Sequence, residues 1–255
     1  NKGGGTALVG GSALGKGPER NAQTTKVEKG ATIVADARTN GDGGQVVVWS
    51  DEKMNFDGTI TARGGSDGGN GGKVETSGKS LKVGDTAQVD TRASKGIHGQ
   101  WLLDPMDFVI AASGGDISGA TLSNSLASNN VEIRSEQGHT AGNGDIIVND
   151  DISWAADTIL TLNADRNVTV NADITATGNH AGMVINPGTG SFDIRNAKIT
   201  LSGIDPNFSI SGNKYTIIQS IQELQDINID LNGYYALGQD IDAKDSWSWH
   251  GVPGL

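Results

Sequence analysis

A glycine-rich segment leading into a lysine and hydroxyl residues is the first place to look for phosphate chemistry, and GNGGKVETSG at 69–78 is such a segment. A phosphate loop needs Gly-Lys-Ser/Thr after four intervening residues, and a dinucleotide loop needs a helix opening directly behind its glycines. Strand-like residues follow instead, and the related GDGGQVVVWS at 41–50 has glutamine in place of the lysine. Phosphate binding is not expected. The carboxylates of NDD at 149–151 and QDIDAKD at 239–245 are hard oxygen donors of the kind calcium accepts. They lack the tandem Gly-Gly-x-Gly-x-Asp of calcium-binding repeats and read as solvated Asx turns. A polysaccharide-cleaving site needs carboxylates converging from neighbouring repeats. Asp36, Asp90 and Asp173 fall at similar points of their segments, but Thr61 holds the corresponding place in another. His98, His139, His180 and His250 stand singly, without the paired spacing of a helical zinc site, and Gly-x-Ser-x-Gly is absent. No catalytic, metal-binding or cofactor-binding residue is expected, and the chain reads as a non-enzyme.

Arg38, Arg63 and Arg92 each close a short strand-like phrase (ADAR, ITAR, VDTR) and read as equivalent positions. Stacked cations repel, so they are expected to point outward or to pair with Asp36, Asp67 and Asp90. Five of the twelve aromatic residues are tryptophan. Trp49, Trp101 and Trp154 sit in strand phrases and read as core or corner fillers. Trp247 and Trp249 flank a serine, and they are the candidate platform for a sugar ring. Asn167 and Asn207 head the glycosylation sequons NVT and NFS.

What must position these residues is a repeat. The pattern Gly-(Asp/Asn)-Gly-Gly-(Gln/Lys)-Val at 41–46 returns 28 residues later at 69–74. Further on, DIIVNDDIS at 145–153 matches NVTVNADIT at 167–175, which pairs Ile146 with Val168, Val148 with Val170 and Ile152 with Ile174 at an offset of 22. A looser copy is FDIRNAKITLSG at 192–203. Repeats of 20–28 residues without a helix in each fit a β-solenoid, whereas propeller blades need about 40. Alternating phrases such as ILTLNA and VTVNADI suit strands with one buried face. ATLSNSLAS at 120–128 reads as a short helix or a ladder step. A second short helix candidate lies near 218–226, with Ile218, Ile221 and Leu224 at helical spacing. The expected architecture is all-β, a single solenoid over 1–255 of about ten coils, with 213–255 as an atypical or capping end.

Composition agrees. The chain has 255 residues, 38 of them glycine, 19% charged residues, a net charge of −11 and no cysteine. The acidic balance argues against nucleic acid as a partner, no apolar run is long enough for a transmembrane segment, and stability must come without disulfides.

The phrases GQWLLDPMDFVIA at 99–111, GYYALGQDIDA at 233–243, DDISWAADTILTLNADRNVTVNADITATG and DSWSWHG, in this order, resemble the repeat region of large bacterial exoproteins of the filamentous haemagglutinin type, the secreted partners of two-partner secretion systems. The resemblance spans about residues 20–250. It implies a right-handed parallel β-helix, a secreted, cell-surface location, and a structural or adhesive role in attachment, biofilm or filament formation. It also implies partners: a host surface or matrix glycan or protein, copies of the chain joined end to end, and an outer-membrane secretion partner recognised through a domain outside this chain. The family's secretion motif, Asn-Pro-Asn, is absent, so the chain is expected to be an interior piece. The alternative is a polysaccharide-acting enzyme or glycan-binding module on a β-helix.

Overall fold

Strand residues alternate in burial along the chain because successive side chains point to opposite faces of the pleat. Wrapping such strands into coils buries one set of side chains in a common interior. The computed structural model describes residues 3–136, 142–244 and 246, and the chain forms a parallel β-solenoid of about seven turns. The first coil carries β1 (Thr6–Val9), β2 (Thr24–Val27) and β3 (Thr32–Val34). The next two use one long strand and one short one, β4 (Gln45–Phe56) with β5 (Thr59–Thr61), then β6 (Lys73–Val83) with β7 (Gln88–Asp90). The fourth has β8 (Gln100–Asp104), β9 (Phe108–Ile110) and a helix, α1 (Gly119–Leu126). Three regular coils follow: β10 (Asn130–Arg134), β11 (Ile146–Val148) and β12 (Ile152–Trp154); β13 (Ile159–Asn163), β14 (Val168–Val170) and β15 (Ile174–Ala176); β16 (Gly182–Asn186), β17 (Phe192–Ile194) and β18 (Ile199–Leu201).

One face of the solenoid is the continuous run β1-β4-β6-β8-β10-β13-β16, which ends on β19 (Asn207–Ile210). Its interior column reads Ala7, Val46, Val74, Trp101, Val131, Leu160, Met183 and Phe208, each residue opposite the next in register. Trp101 is fully buried, donates Nε1–H to Thr76 Oγ1 at 3.0 Å, and meets Phe56 edge-on at 6.1 Å. The offsets of 28 and 22 are ladder registers: Gln45 pairs with Lys73, Ile146 with Val168 and Ile152 with Ile174. Seven coils at about 4.8 Å each give a stack of roughly 34 Å, shorter than the ten-coil rod expected from the sequence. The difference arises because the early coils are longer than the repeat average and the chain leaves the parallel path after β19.

The glycine motif builds a corner. Gly44, Gly72 and Gly99 each donate N–H to the residue that opens their own corner, Ala35, Ala62 and Thr91, at 2.7, 2.7 and 2.8 Å. A Cβ on Gly72 would overlap the carbonyl oxygen of Gly44, and one on Gly99 the carbonyl oxygen of Gly72. Gly41 and Gly69, first in each motif, take φ of +120° and +116°.

Where the third face lacks a strand, α1 fills the gap between β7 and β12. Ser118 caps it by accepting Thr121 N–H, Leu122 and Leu126 are buried, and buried Asn129 ties its end to the preceding coil. The Asn129 Oδ1 accepts both the Thr91 N–H and its hydroxyl, and Nδ2 donates to the Val89 and Ser125 carbonyls. ATLSNSLAS is therefore a helix. At the far end β20 (Asn213–Ile218) turns back antiparallel on β19, α2 (Ile221–Asp226) follows behind a Ser220/Glu223 capping box, and β21 (Tyr235–Leu237) pairs with β20. Ile218 lies buried in β20 instead of on the helix, and Leu224 is exposed.

Gly72→Ala is expected to cost at least about 2 kcal/mol in urea unfolding. Gly5→Ala, whose Cβ meets nothing within 4 Å, is expected to stay within about 0.5 kcal/mol of wild type. Equal costs at the two sites would contradict the corner packing.

Candidate functional site

The corners between β3 and β4, between β5 and β6, and between β7 and β8 stack to form a cleft of about 420 Å³ lined by Asp36, Arg38, Arg63, Ser66, Arg92, Ser94 and His98, among others. Register explains the grouping. Val34, Thr61 and Asp90 share a ladder position, so two residues on, Asp36, Arg63 and Arg92 form one column. Asp36 accepts the Arg63 backbone N–H at 2.8 Å and, through Oδ2, its Nε and Nη2 at 3.0 and 2.7 Å. Arg92 folds back on Asp90 in the same coil, Nε to Oδ1 at 3.0 Å and Nη2 to Oδ2 at 2.7 Å. Burial raises the Asp36 and Asp90 pKa values, but the arginine bonds outweigh it and hold both carboxyls below the usual range. Each guanidinium remains about half exposed, with Nη1 taking no part in these pairs. No carboxylate among the described residues lies within ion-pair distance of Arg38. The His98 Nδ1 accepts the Ala93 N–H at 3.3 Å, which places the proton of neutral imidazole on Nε2.

Arg63 and Arg92 are thus equivalent, as the sequence suggested, but Arg38 is two residues out of register, and Asp67 accepts from Ser66 Oγ instead of an arginine. A two-residue slip leaves the inward and outward alternation unchanged, so the pattern alone does not reveal it. The proposed equivalence of Asp36 with Asp90 fails for the same reason, and Asp173 lies at the entry to β15 on another part of the coil.

A second charged group occupies the outer side of the continuous face. Outward positions in register bring Glu75, Asp104, Glu132 and Arg134 together. Glu75 accepts the Leu14 N–H at 2.9 Å from the excursion over this face, and burial pushes its carboxyl up. Glu132 is held by Gln100, Arg134 and Asn163. Asp104 is buried, and its Oδ1 has no hydrogen-bond partner among the described residues. Burial first, then the charge of Glu136, push the Asp104 carboxyl up to about 7 against the pull of Arg134. In the sequence Lys73 and Glu75 alternate in KVETSG, but QWLLD carries the single charge of Asp104, and only the strand register brings these carboxylates together.

The remaining candidates separate. Trp247 and Trp249, with His139 and His250, lie outside the described residues. Trp154 is buried with Nε1–H donated to the Thr158 carbonyl at 3.1 Å, and Trp49 is partly buried with its Nε1–H on Asp51. The Asn167 Nδ2 donates to Asp145 and its Oδ1 accepts the Ser191 N–H, so a glycan on that nitrogen would displace the Asp145 bond. Asn207 is exposed at the start of β19. The acidic turns serve the backbone: Asp150 accepts the Gly119 N–H, Asp151 the Asp173 N–H, and Asp240 pairs with Lys198. No group of three or more candidate metal ligands occurs among the described residues.

The Asp104 carboxyl binds its proton more tightly folded than unfolded. Its contribution to stability is full below pH 3.8 and is lost as the pH rises toward 7, by on the order of 4 kcal/mol at most. Asp104→Asn should therefore raise the urea midpoint at pH 8 and flatten the decline between pH 5 and pH 8. An unchanged decline would contradict the buried, protonated carboxyl.

In comparisons with known proteins, no family model matches the chain and no curated protein matches it.

Proposed function

We propose that the chain is a rigid, non-enzymatic segment of a secreted bacterial exoprotein, whose work is to hold an outer binding surface away from the cell. The reading is supported by the resemblance of its phrases to filamentous haemagglutinin-type exoproteins and, above all, by one structural observation. Side-chain oxygens at the corners of one coil bind backbone N–H groups of the next from the first coil to the last regular one. Asp42 accepts from Asn70 and Asn70 from Ile97; Asp145 accepts from Asn167 and Asn167 from Ser191; Asp151 accepts from Asp173 and Asp173 from Lys198. Asp42, Asp145, Asp151 and Asp173 thereby tie neighbouring coils together. Export through an outer-membrane partner and contacts with a host or matrix surface belong to the same proposal.

A polysaccharide-acting enzyme is the second reading, favoured by the carboxylates Glu75, Asp104, Glu132 and Glu136. The cavity that touches Glu75 measures about 90 Å³ and includes neither Asp104 nor Glu132, well below the roughly 300 Å³ at which ligand pockets begin. The mechanical reading is therefore preferred.

Beads coated with the folded chain should be retained on host-cell or matrix-coated surfaces under flow, while beads coated with the heat-unfolded chain should not. Release of new sugar ends from a polysaccharide, lost on Asp104→Asn without loss of fold, would instead establish the enzymatic reading.

A further inference from the structure

We infer that the arginine cleft, which is lined by three successive coils, is a binding site for the carboxylates of a linear acidic polysaccharide. The inference rests on the adhesive reading and names the ligand class it leaves open.

The cleft reverses the sign of its surroundings. In a chain of net charge −11, its walls hold three guanidinium groups and a single carboxylate, Asp36. Each guanidinium comes from a different coil: Arg63 and Arg92 are neighbours in one column at the coil spacing of about 4.8 Å, and Arg38 stands two residues along the first coil from Asp36, which completes that column. A linear polyanion with a carboxylate on each sugar can present more than one of them to a cleft that three coils line.

The donors are also fixed in advance. Arg63 and Arg92 are each clamped through Nε and Nη2 by a carboxylate, which leaves the Nη1 edge of a positioned, half-exposed cation for a ligand. Immobilisation before binding lowers the entropy lost on association. Arg38, without a carboxylate partner among the described residues, supplies a further cation, and His98 Nε2–H adds a donor.

Charge density selects among polyanions. Asp36 and Asp90 remain beside the cations and already neutralise two of them in part, so the site suits a ligand with one charge per sugar. A densely sulfated chain, with more than one charge per sugar, brings more negative charge than the cleft can balance. A planar carboxylate also matches the free edge of a guanidinium.

The test is a titration of the folded chain with a fluorescently labelled linear oligogalacturonate at low salt, alongside its methyl-esterified form, dextran sulfate and single-stranded DNA. Saturable binding of the free acid, loss of binding on esterification, and weakening by about fivefold or more in Arg38→Ala are expected, roughly one exposed charge-assisted contact. Arg38 makes no ion pair among the described residues, so this variant should keep the wild-type unfolding midpoint. Arg195→Ala, at the far end of the stack, should bind as wild type. Equal binding of the ester, equal binding by Arg38→Ala, or tighter Arg38-dependent binding of dextran sulfate or DNA would overturn the inference. Beads that still adhere under flow with Arg38→Glu, while oligogalacturonate binding is absent in wild type, would sink this site and leave the adhesive reading standing.

Discussion

In a parallel solenoid the nearest non-sequential neighbours of a residue are its counterparts one coil before and one coil after, at about 4.8 Å. That spacing is the constraint from which the rest of this molecule follows. Apolar side chains stacked at that distance make the interior columns. Polar ones must satisfy each other, as Asn186 does by donating to Asn163 and Asn171 by donating to Asn149. Charges stacked at that distance must alternate in sign or be neutralised at once, and both solutions occur in the arginine column.

The same spacing explains the composition. Glycine is required where two corner backbones approach more closely than a Cβ allows. Aspartate and asparagine are required where a corner N–H has no carbonyl opposite it. A buried unpaired N–H costs about 1–3 kcal/mol, and a short carboxylate or amide from the adjacent coil reaches it without lengthening the corner. The helix α1 is accommodated on the same terms. It replaces one strand of the third face, and Asn129, with both donors and its acceptor used, connects its last turn to β7 where strand pairing is interrupted.

Much of the fold was legible because columns of like residues repeat in the sequence: the glycine motif at 41–46 and 69–74, and the Ile/Val pairs at 146–152 and 168–174, are true ladder neighbours. What was not legible depended on alignment to within two residues. Arg38 resembles Arg63 and Arg92 in its local phrase, yet it stands four residues beyond its strand where they stand two beyond theirs, and a slip of two preserves every inside and outside assignment. The carboxylates at Glu75 and Asp104 were hidden differently. Each looks like an ordinary surface charge in its own strand, and only the excursion carrying Leu14 over the sheet buries the first of them.

The register of the coils is directly measurable because the sequence contains no cysteine. Gln45 and Lys73 are exposed and opposite one another on adjacent coils, at a separation a disulfide can span. A Gln45→Cys/Lys73→Cys variant should oxidise fully to an intramolecular bridge while retaining its fold, and a Gln45→Cys/Lys82→Cys variant should remain reduced. A bridge that forms as readily in the second variant as in the first would contradict the stacked, in-register solenoid.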